Sequence, residues 1–430
     1  MPHSEDSRIK VAIAGGGIGG LALAVGLAKQ PLLDVQVYEG VDGYADIGAG
    51  LALHKNAITA MDLIDPAVKK AYFSKALMIA EEEDEEMVTE VRLVSGPNTG
   101  ELVAELGRAK GRRTVARSDL LQGFASLVSK DRLTFGKRLG DIKESEKGKI
   151  QLTFKDGSTV ETDVLIGCDG VHSCTRKYLL GEGHPALGTS NPEGWRVHSR
   201  QVPMDVAMKT IDPKWKKTVS ILCGREGHVN TMPLHQGKTL SIQCVTRTGI
   251  AGEGEDNTEF DKSYFKDYRE DAKAGAELVA EGPNTTWALQ QHKHAPYYAR
   301  RNICMIGDAA HACMPFAGNG AAQAIEDAAV LTALFSKVTA LSQVSKALAA
   351  YDTIRRPRSQ RVVEIACDFG RLYDFALPGV EDNPMKMKQF MGKSAAFTNN
   401  ADLNKQNEDA VKLFEESLAE DLKTSRESTR

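Results

Sequence analysis

Residues 9–40 constrain the fold more than any other part of the chain. They read IKVAIAGGGIGGLALAVGLAKQ and, after a short gap, VQVYEG, so two apolar runs flank a G-x-G-x-x-G pattern and a run of small residues. In a strand–turn–helix unit Gly15 permits the tight turn, Gly17 lets a pyrophosphate approach the backbone, and Gly20 allows close packing of helix on strand. Glu39, at the tip of the second strand, can accept hydrogen bonds from an adenosine ribose. The stretch therefore predicts a dinucleotide-binding unit.

Composition limits the classes of partner. The 430 residues are enough for two or three domains, and a formal net charge of −4 gives no electrostatic reason to expect nucleic acid or an anionic membrane. Seven cysteines without a C-x-x-C pair favour reduced thiols over disulfides or a zinc site. The N-terminus lacks a signal-peptide pattern, and no apolar run reaches the roughly 18 residues of a membrane span. We expect a cytoplasmic protein with no metal, nucleic-acid or membrane partner.

Two later segments repeat the strand–turn–helix logic. In TDVLIGCDGVHSCTR, Asp169 lies between an apolar strand and the start of a predicted helix. This position suits a second contact with a nucleotide. An Asp-Gly turn is also common in purely structural roles. In GDAAHACMPFAGNGAAQAIEDA, Asp308 follows a strand and can bind polyol hydroxyls. A glycine-containing loop then leads into a helix predicted over 321–335, whose N-terminus can stabilise an anion.

The middle of the chain has a different pattern. Short alternating stretches between 181 and 291 predict a mainly antiparallel sheet. We therefore expect an α/β protein with a Rossmann-type domain in two pieces (1–180 and 292–365), a substrate domain between them (181–291) and a C-terminal helical segment ending in a fraying tail (366–430).

Three smaller features complete the prediction. The 48–50 turn lets backbone approach something flat, or is an ordinary tight turn. Arg117 stands at a loop–helix junction, with Ser118 or Asp119 as the expected N-cap. Its guanidinium can pair with phosphate oxygens or lie over the edge of a ring, although a surface arginine would look the same in sequence. The Pro-Asn-Thr-Gly sequence at 97–100 predicts the turn of a hairpin.

Taken together, GGGIGG with Glu39, CDGVHS and GDAAHACMPFAGNGAAQAIEDA resemble the fingerprints of single-component, class A FAD-dependent aromatic monooxygenases, and most of all the salicylate hydroxylase-like branch. The resemblance spans roughly 9–361. It implies a glutathione-reductase-like flavoprotein fold, FAD as cofactor and NAD(P)H as a transient reductant, since no second G-x-G-x-x-G is present. It also implies hydroxylation of an aromatic substrate by O2 through a flavin hydroperoxide.

The same resemblance implies where FAD is held. The adenosine would lie at Glu39 and the pyrophosphate over Gly15, Gly17 and Gly20, while Asp169 belongs to a motif implicated in both FAD and nicotinamide nucleotide use. The residues implied to approach the ribityl chain and the flavin ring are Gly50, Arg117, Asp308, Pro315, Gly318, Asn319, Gly320 and Ala321.

Substrate residues are expected from the middle sheet. Arg196 is the first candidate, because a guanidinium can hold a carboxylate or phenolate, although a surface arginine would look the same in sequence. His235 is a candidate base or hydrogen-bond partner, with a solvated histidine as the alternative. Weaker candidates for lining the pocket are His228, Trp195 and Met232.

Two positions depart from the family pattern, and for this reason the sequence supports more than one predicted function. Lys55 stands where proline is expected, and Met232 stands where the branch commonly has a tyrosine that would help to hold a phenolate. The leading expectation is hydroxylation of a salicylate-like acid or phenol by a monomer or homodimer. The alternatives are epoxidation or dearomatising hydroxylation of an indole or polyketide-derived ring, and a flavin-binding or redox-sensing protein without efficient turnover.

Overall fold

The computed structural model describes residues 8–45, 50–76, 86–110, 113–146, 148–248 and 259–428. Within these ranges the strands are β1 (Ile9–Ala14), β2 (Leu33–Tyr38), β3 (Gly50–Ala52), β4 (Glu86–Leu93), β5 (Leu102–Lys110), β6 (Thr114–Ala116), β7 (Leu133–Thr134), β8 (Leu139–Glu144), β9 (Ile150–Phe154), β10 (Thr159–Thr162), β11 (Val164–Gly167), β12 (Thr189–Ser190), β13 (Trp195–Pro203), β14 (Val219–Gly224), β15 (Gly227–Leu234), β16 (Thr239–Arg247), β17 (Thr285–Ala288), β18 (Gln291–His292), β19 (Ala299–Arg300) and β20 (Ile303–Met305).

The helices alternate with these strands in the first half of the chain and dominate its end. They are α1 (Ile18–Leu27), α2 (Lys55–Ile64), α3 (Pro66–Lys75), α4 (Arg117–Ala125), α5 (Cys174–Leu180), α6 (Met204–Ala207), α7 (Glu270–Ala280), α8 (Asp308–His311), α9 (Gly320–Phe335), α10 (Val344–Tyr373), α11 (Pro384–Asn399) and α12 (Leu403–Ser428).

The first large sheet has the order β19-β20-β11-β1-β2-β7 and is parallel except at β19. β1 and β11 are apolar and almost entirely buried, as strands covered on both faces must be. α1 is buried along its whole length and packs against α9. Since parallel strands end at one edge, the turns after β1, β11 and β20 meet there. The predicted Rossmann-type arrangement is confirmed.

The second large sheet has the order β17-β13-β16-β15-β14-β4-β5, and only the β14–β4 pair is parallel. One of its faces is covered by α7. The predicted hairpin around 97–100 is present as β4 and β5, but it joins this sheet. The sheet therefore consists of strands from two distant parts of the chain and not from 181–291 alone. The four-part division into domains stays a prediction.

Some local expectations are corrected. α4 begins at Arg117 with Ala116 as its N-cap, so neither Ser118 nor Asp119 caps it. α12 continues to Ser428, so most of the stretch predicted as a fraying tail is helical. Residues 48 and 49 of the predicted 48–50 turn lie outside the described residues. Across the described ranges, no helix combines the length and the apolar character that crossing a bilayer requires.

Candidate functional site

A cavity of about 500 Å³ lies between the two large sheets. This volume falls within the range of about 300–1,000 Å³ that is usual for ligand sites. Its wall is built from the glycine corner after β1, the segment 306–321, one face of the seven-stranded sheet and the end of α11. The cavity thus joins the predicted dinucleotide corner to the predicted substrate sheet.

Each of the three glycines after β1 meets a different steric demand. A Cβ on Gly15, whose φ is +109°, would lie 2.2 Å from the carbonyl oxygen of Cys168. A Cβ on Gly20 would lie 2.0 Å from the carbonyl oxygen of Gly15, whereas Gly17 has no atom within 4 Å of an added Cβ. Gly17 and Gly20 line the cavity, and α1 begins there without a side-chain cap. The first N–H groups of α1 are therefore available to an anion in the cavity.

Glu39 binds the same corner from the end of β2. Its Oε2 accepts a hydrogen bond from the Gly16 N–H at 2.6 Å, and its Oε1 accepts one from the Val41 N–H at 2.9 Å. Each carboxylate oxygen keeps a second lone pair for another donor. Glu39 is not among the residues that line the cavity. The ribose contact predicted for it stays a prediction.

Asp169 is occupied by its own helix. Its Oδ1 accepts from the Ser173 hydroxyl at 2.5 Å, and its Oδ2 accepts from the Thr175 N–H at 2.9 Å and the Thr175 hydroxyl at 3.2 Å. Burial raises the pKa of the Asp169 carboxyl, with the hydrogen bonds acting in the opposite direction. Cys168 and Gly170 line the cavity on either side of it, but Asp169 does not. The observed role of Asp169 is to hold the start of α5.

The segment after β20 forms the floor of the cavity. Asp308 and Pro315 line it, as does every residue from Gly318 to Ala321. Gly318 adopts the left-handed conformation, with φ +60°, and α9 then starts at Gly320 without a side-chain cap. Two uncapped helix starts, those of α1 and α9, thus point positive dipole ends at one cavity.

A buried ionic network, formed by Glu326, Asp327, Arg355, Arg358 and His311, supports this floor. Asp327 accepts from the Gly307 N–H (2.9 Å), contacts His311 Nε2 (2.7 Å) and accepts from Arg355 Nε (2.8 Å). Glu326 accepts from Arg355 Nη1 (2.6 Å) and from both Nε and Nη2 of Arg358 (2.8 and 2.9 Å).

The network reaches the cavity wall through amide side chains. Asn56 Nδ2 donates to Glu326 at 2.7 Å and to Asn319 Oδ1 at 2.9 Å, and Asn319 Nδ2 donates to Asn399 Oδ1 at 2.8 Å. Gln323 Nε2 also donates to Asn319 Oδ1, at 3.3 Å, so Asn319 has three side-chain hydrogen-bond partners. Because Asn319 is also only 1% exposed, these bonds fix the position of the loop before α9.

The network also predicts acid sensitivity. Burial would raise the pKa of Glu326 and Asp327, but the positive charges of Arg355 and its neighbours outweigh burial and lower both pKa values. A carboxyl with a lower pKa in the folded state stabilises the fold above its unfolded pKa of about 4, and this stabilisation is lost as pH falls through the folded pKa.

We therefore expect the thermal midpoint to fall between about pH 5 and pH 2, and to fall less steeply in Glu326→Gln. Thermal unfolding followed by circular dichroism across this range measures both. An exposed carboxyl variant, Glu364→Gln, is the control, since its side chain is 45% exposed. Equal slopes for wild type and Glu326→Gln would contradict the assignment.

Three predicted residues meet at the opposite wall. Gly50, Arg117 and Met232 all line the cavity. A Cβ on Gly50 would lie 2.7 Å from the sulfur of Met232, so backbone and thioether are in close contact. The Arg117 guanidinium has no hydrogen-bond or ion-pair partner among the described residues, which leaves it available to an anionic group.

Arg196, the first candidate for substrate contact, lies on the face of its strand opposite to Val197. Side chains alternate along β13, and Val197 lines the cavity while Arg196 does not. Arg196 shares its face with Arg200, whose guanidinium donates to the carbonyl of Leu278 in α7. The structure therefore does not place Arg196 among the residues that line the cavity, and the substrate contact predicted for it stays a prediction.

His235 also lies outside the cavity wall. It follows β15 in a left-handed conformation, with φ +49°, and its Nδ1 is 3.2 Å from Asp119 Oδ2. His228 and Trp195 are fully buried behind the wall, where His228 Nδ1 and Trp195 Nε1 each lie 2.6 Å from an oxygen of Asp374. The described structure brings none of these three side chains to the cavity.

Sequence reasoning missed several wall residues. Those from the seven-stranded sheet include Asn230 and Gln243, and those from the C-terminal helices include Tyr373 and Asn399. The alternation in HVNTMPL and LSIQCVTR shows that Asn230 shares a face with Met232 and that Gln243 shares one with Ser241. No local signal identifies α11 as part of the wall.

The cavity cysteines are held as thiols. Burial raises the pKa of Cys168, and burial with the nearby Asp308 raises the pKa of Cys313 to about 12. Neither is a reactive thiolate at neutral pH. The part of the chain that the structure describes contains no group of three or more His, Cys, Asp or Glu side chains arranged to hold a metal.

The residues present fit a flavin dinucleotide. Gly17 leaves open space where a diphosphate must approach backbone, and two uncapped helix starts face the cavity. A family model described as an FAD binding domain matches residues 126–366, more than half of the chain. The chain belongs to the FAD-dependent aromatic monooxygenases, in the salicylate hydroxylase-like branch, for which NAD(P)H is the typical reductant.

Individual relatives support this placement. The chain is 37% identical to 6-methylsalicylate 1-monooxygenase atA of Aspergillus terreus, over 98% of this chain and 96% of the relative. It is 30% identical to a salicylate hydroxylase of Pseudomonas putida, over 87% and 88%. A solved salicylate hydroxylase substrate complex aligns with a TM-score of 0.81 at 26% identity, covering 95% of this chain and 99% of that one. The predicted family, fold class and cofactor are confirmed.

Proposed function

We propose that this monooxygenase hydroxylates a small 2-hydroxybenzoic acid, such as salicylate or a methylated salicylate. The observation that carries the proposal is a cavity whose lining includes both the dinucleotide corner and an apolar compartment under the seven-stranded sheet. The relatives whose names include salicylate and 6-methylsalicylate support the same substrate class.

FAD, when bound, accepts hydride from NAD(P)H and activates O2 for insertion into the ring. We assign the diphosphate to the start of α1 at Gly17, and the ribose to Glu39. Asp308 would bind a ribityl hydroxyl, and the N–H groups at the start of α9 would bind the pyrimidine edge of the ring. Gly50, Arg117 and Pro315 complete the cofactor wall, whereas Gly15 and Asp169 act by shaping the backbone.

The substrate compartment is built to exclude water. Val197, Val245 and Ile221 contribute apolar side chains from the sheet, and Phe369 and Tyr373 contribute rings from α10. Burial raises the pKa of the Tyr373 hydroxyl well above its ordinary range, so this group stays protonated. A dry compartment keeps activated oxygen from being lost to water before it reaches the ring.

The cellular setting is part of the proposal. All seven cysteines are described and none is in a disulfide, which supports a reducing compartment such as the cytoplasm. We propose that the enzyme acts there as a monomer or homodimer on a small aromatic partner and O2.

The activity is tested with purified, FAD-loaded enzyme. We expect salicylate or 6-methylsalicylate to accelerate NADH or NADPH oxidation at least about tenfold over the rate without substrate, with one NAD(P)H and one O2 consumed per hydroxylated product. Oxygen uptake, cofactor absorbance and product mass together measure this stoichiometry, and release of CO2 reports whether the carboxyl group is replaced.

The same assay separates the alternatives. An indole or polyketide-type phenol that gives coupled turnover when the benzoates do not would favour the epoxidising or dearomatising function. Bound flavin with no substrate-accelerated oxidation across the whole panel would contradict an oxygenase role.

A further inference from the structure

The wall of the cavity contributed by the seven-stranded sheet carries no formal charge. Its described lining residues are apolar or neutral, and they include no Asp, Glu, Lys, Arg or His. The charged lining residues, Arg117 and Asp308, come from the dinucleotide side. A substrate bound against the sheet must therefore be oriented by neutral polar groups.

Two amides occupy the middle of this wall. Asn230 on β15 and Gln243 on β16 are directly paired across the two strands, and both line the cavity. Directly opposed side chains have Cβ atoms about 4.5–5.5 Å apart, so one small molecule can touch both. Ile221, paired with Asn230 on the other side, and Val245, two residues along from Gln243, surround the amides with apolar groups.

Asn230 has an unmet hydrogen bond. Its Oδ1 is buried and has no hydrogen-bond partner among the described residues. A buried acceptor without a donor is costly, so such atoms in native proteins usually serve a ligand or an ordered water. Because Asn230 is one of the residues that line the cavity, a hydrogen-bond donor on a bound substrate is the group best placed to meet this acceptor.

We propose that Asn230 and Gln243 orient the aromatic substrate, with Asn230 Oδ1 accepting the phenolic hydroxyl and Gln243 Nε2 donating to the neighbouring carboxylate. The assignment rests on the proposed function, since a 2-hydroxybenzoic acid places a hydroxyl donor and carboxylate acceptors on adjacent ring carbons. In place of the charged anchor expected at Arg196 on β13, it assigns substrate orientation to a neutral pair on the next two strands, β16 and β15. Selection of the substrate then depends on hydrogen bonding more than on charge.

Binding measurements with FAD-loaded protein test the pair. Salicylate, 2-methoxybenzoate and benzoate are titrated into wild type, Asn230→Leu and Gln243→Leu, and the dissociation constant is taken from equilibrium dialysis and from the change in flavin absorbance. Wild type is expected to prefer salicylate, because the methyl ether offers no donor to Oδ1. Asn230→Leu should weaken salicylate binding about tenfold and leave 2-methoxybenzoate binding unchanged, whereas Gln243→Leu should weaken all three.

Gln201→Leu is the matched control. Gln201 is on the adjacent strand β13 and also has a buried amide atom without a partner, but it lies outside the cavity wall. It should leave all three dissociation constants unchanged. In turnover, KM for salicylate should rise in Asn230→Leu, and less of the NAD(P)H consumed should appear as product.

Three results would overturn the pair: wild type binding salicylate and its methyl ether equally, Asn230→Leu retaining the preference for salicylate, or Gln201→Leu matching the cavity variants. The comparison of salicylate with 2-methoxybenzoate in wild type remains a valid test even if a leucine variant loses flavin or thermal stability. In that case Asn230→Ser serves as the milder variant. A wild type that neither binds nor hydroxylates any of the acids contradicts the proposed function itself, whereas an active wild type with unaffected variants contradicts only this inference.

Discussion

Replacing Arg355 with methionine is expected to cost about 3–5 kcal/mol of folding free energy, the usual cost of removing one member of a buried ion pair. Arg355 is 0% exposed, and its guanidinium contacts Glu326, Asp327 and Gln323. Methionine preserves much of the side-chain volume but leaves two buried carboxylates short of a positive partner. Thermal and denaturant unfolding, with and without saturating FAD, measure the loss.

The substitution is also expected to weaken FAD binding. Asp327 accepts the Gly307 N–H, and Glu326 holds Asn56, which donates to Asn319. The two carboxylates therefore position backbone on both sides of the floor segment. Fluorescence titration of FAD into the apoprotein should show a higher dissociation constant for Arg355→Met than for wild type.

The control lies on the same helix. Arg361 pairs with Glu364 three residues along, its side chain is 54% exposed, and such surface pairs contribute about 0–1 kcal/mol. Arg361→Met should therefore be nearly neutral. Adding Asp327→Asn to Arg355→Met should recover part of the loss by removing a buried charge that has lost its arginine partner. Equal effects of Arg355→Met and Arg361→Met would show that the buried network does not stabilise the fold.

Substitutions in the glycine corner are expected to separate effects on folding from effects on FAD binding. In Gly20→Ala the new methyl group would lie 2.0 Å from the carbonyl oxygen of Gly15, a contact between backbone groups that no rotamer change can relieve. We expect this variant to lose the close packing of α1 on β1 and to be recovered without flavin. Circular dichroism and the thermal midpoint of the apoprotein report the defect in folding.

Gly17→Ala should behave differently. No atom lies within 4 Å of its added Cβ, so the apoprotein should fold with a wild-type thermal midpoint. The methyl group would occupy the space assigned to the FAD diphosphate, at a cost of about 1–3 kcal/mol in binding, comparable with overpacking a close contact. Reconstitution of the apoprotein, followed by quenching of flavin fluorescence, measures this loss.

Gly43→Ala completes the series. Gly43 also has open space around an added Cβ, but it lies outside the cavity wall, so FAD should bind as in wild type. If Gly17→Ala binds FAD with wild-type affinity, the diphosphate is not at the start of α1. If Gly20→Ala folds and binds normally, the packing argument for the corner is wrong.

The chemistry of the cofactor corner was readable from sequence because its requirements are local. The turn at Gly15, the open position at Gly17 and the helix behind them lie within one short stretch. The segment from Asp308 to Ala321 has the same property. In both places the residues concerned are neighbours in the chain, and Gly17, Gly20 and the segment 315–321 line the cavity.

The substrate side was decided by pairing between distant segments. A one-residue change of position along a strand moves a side chain to the other face, so the sequence around Arg196 could not show that Val197, and not the arginine, faces the cavity. Asn230 and Gln243 become a pair only when β15 and β16 align, and the hairpin β4–β5 joins their sheet across a long stretch of chain.

The sequence by itself predicted a Rossmann-type dinucleotide-binding corner, since glycine conformations and helix starts depend on adjacent residues. Its resemblance to the class A monooxygenases, and not the corner alone, implied a flavin-dependent oxygenase. Only the tertiary structure decided which side chains of the seven-stranded sheet line the cavity, that Asp169 holds its own helix, and that α11 contributes to the cavity wall. Those choices depend on strand register and on packing between segments far apart in sequence, and no single stretch of the chain contains both partners of such a contact.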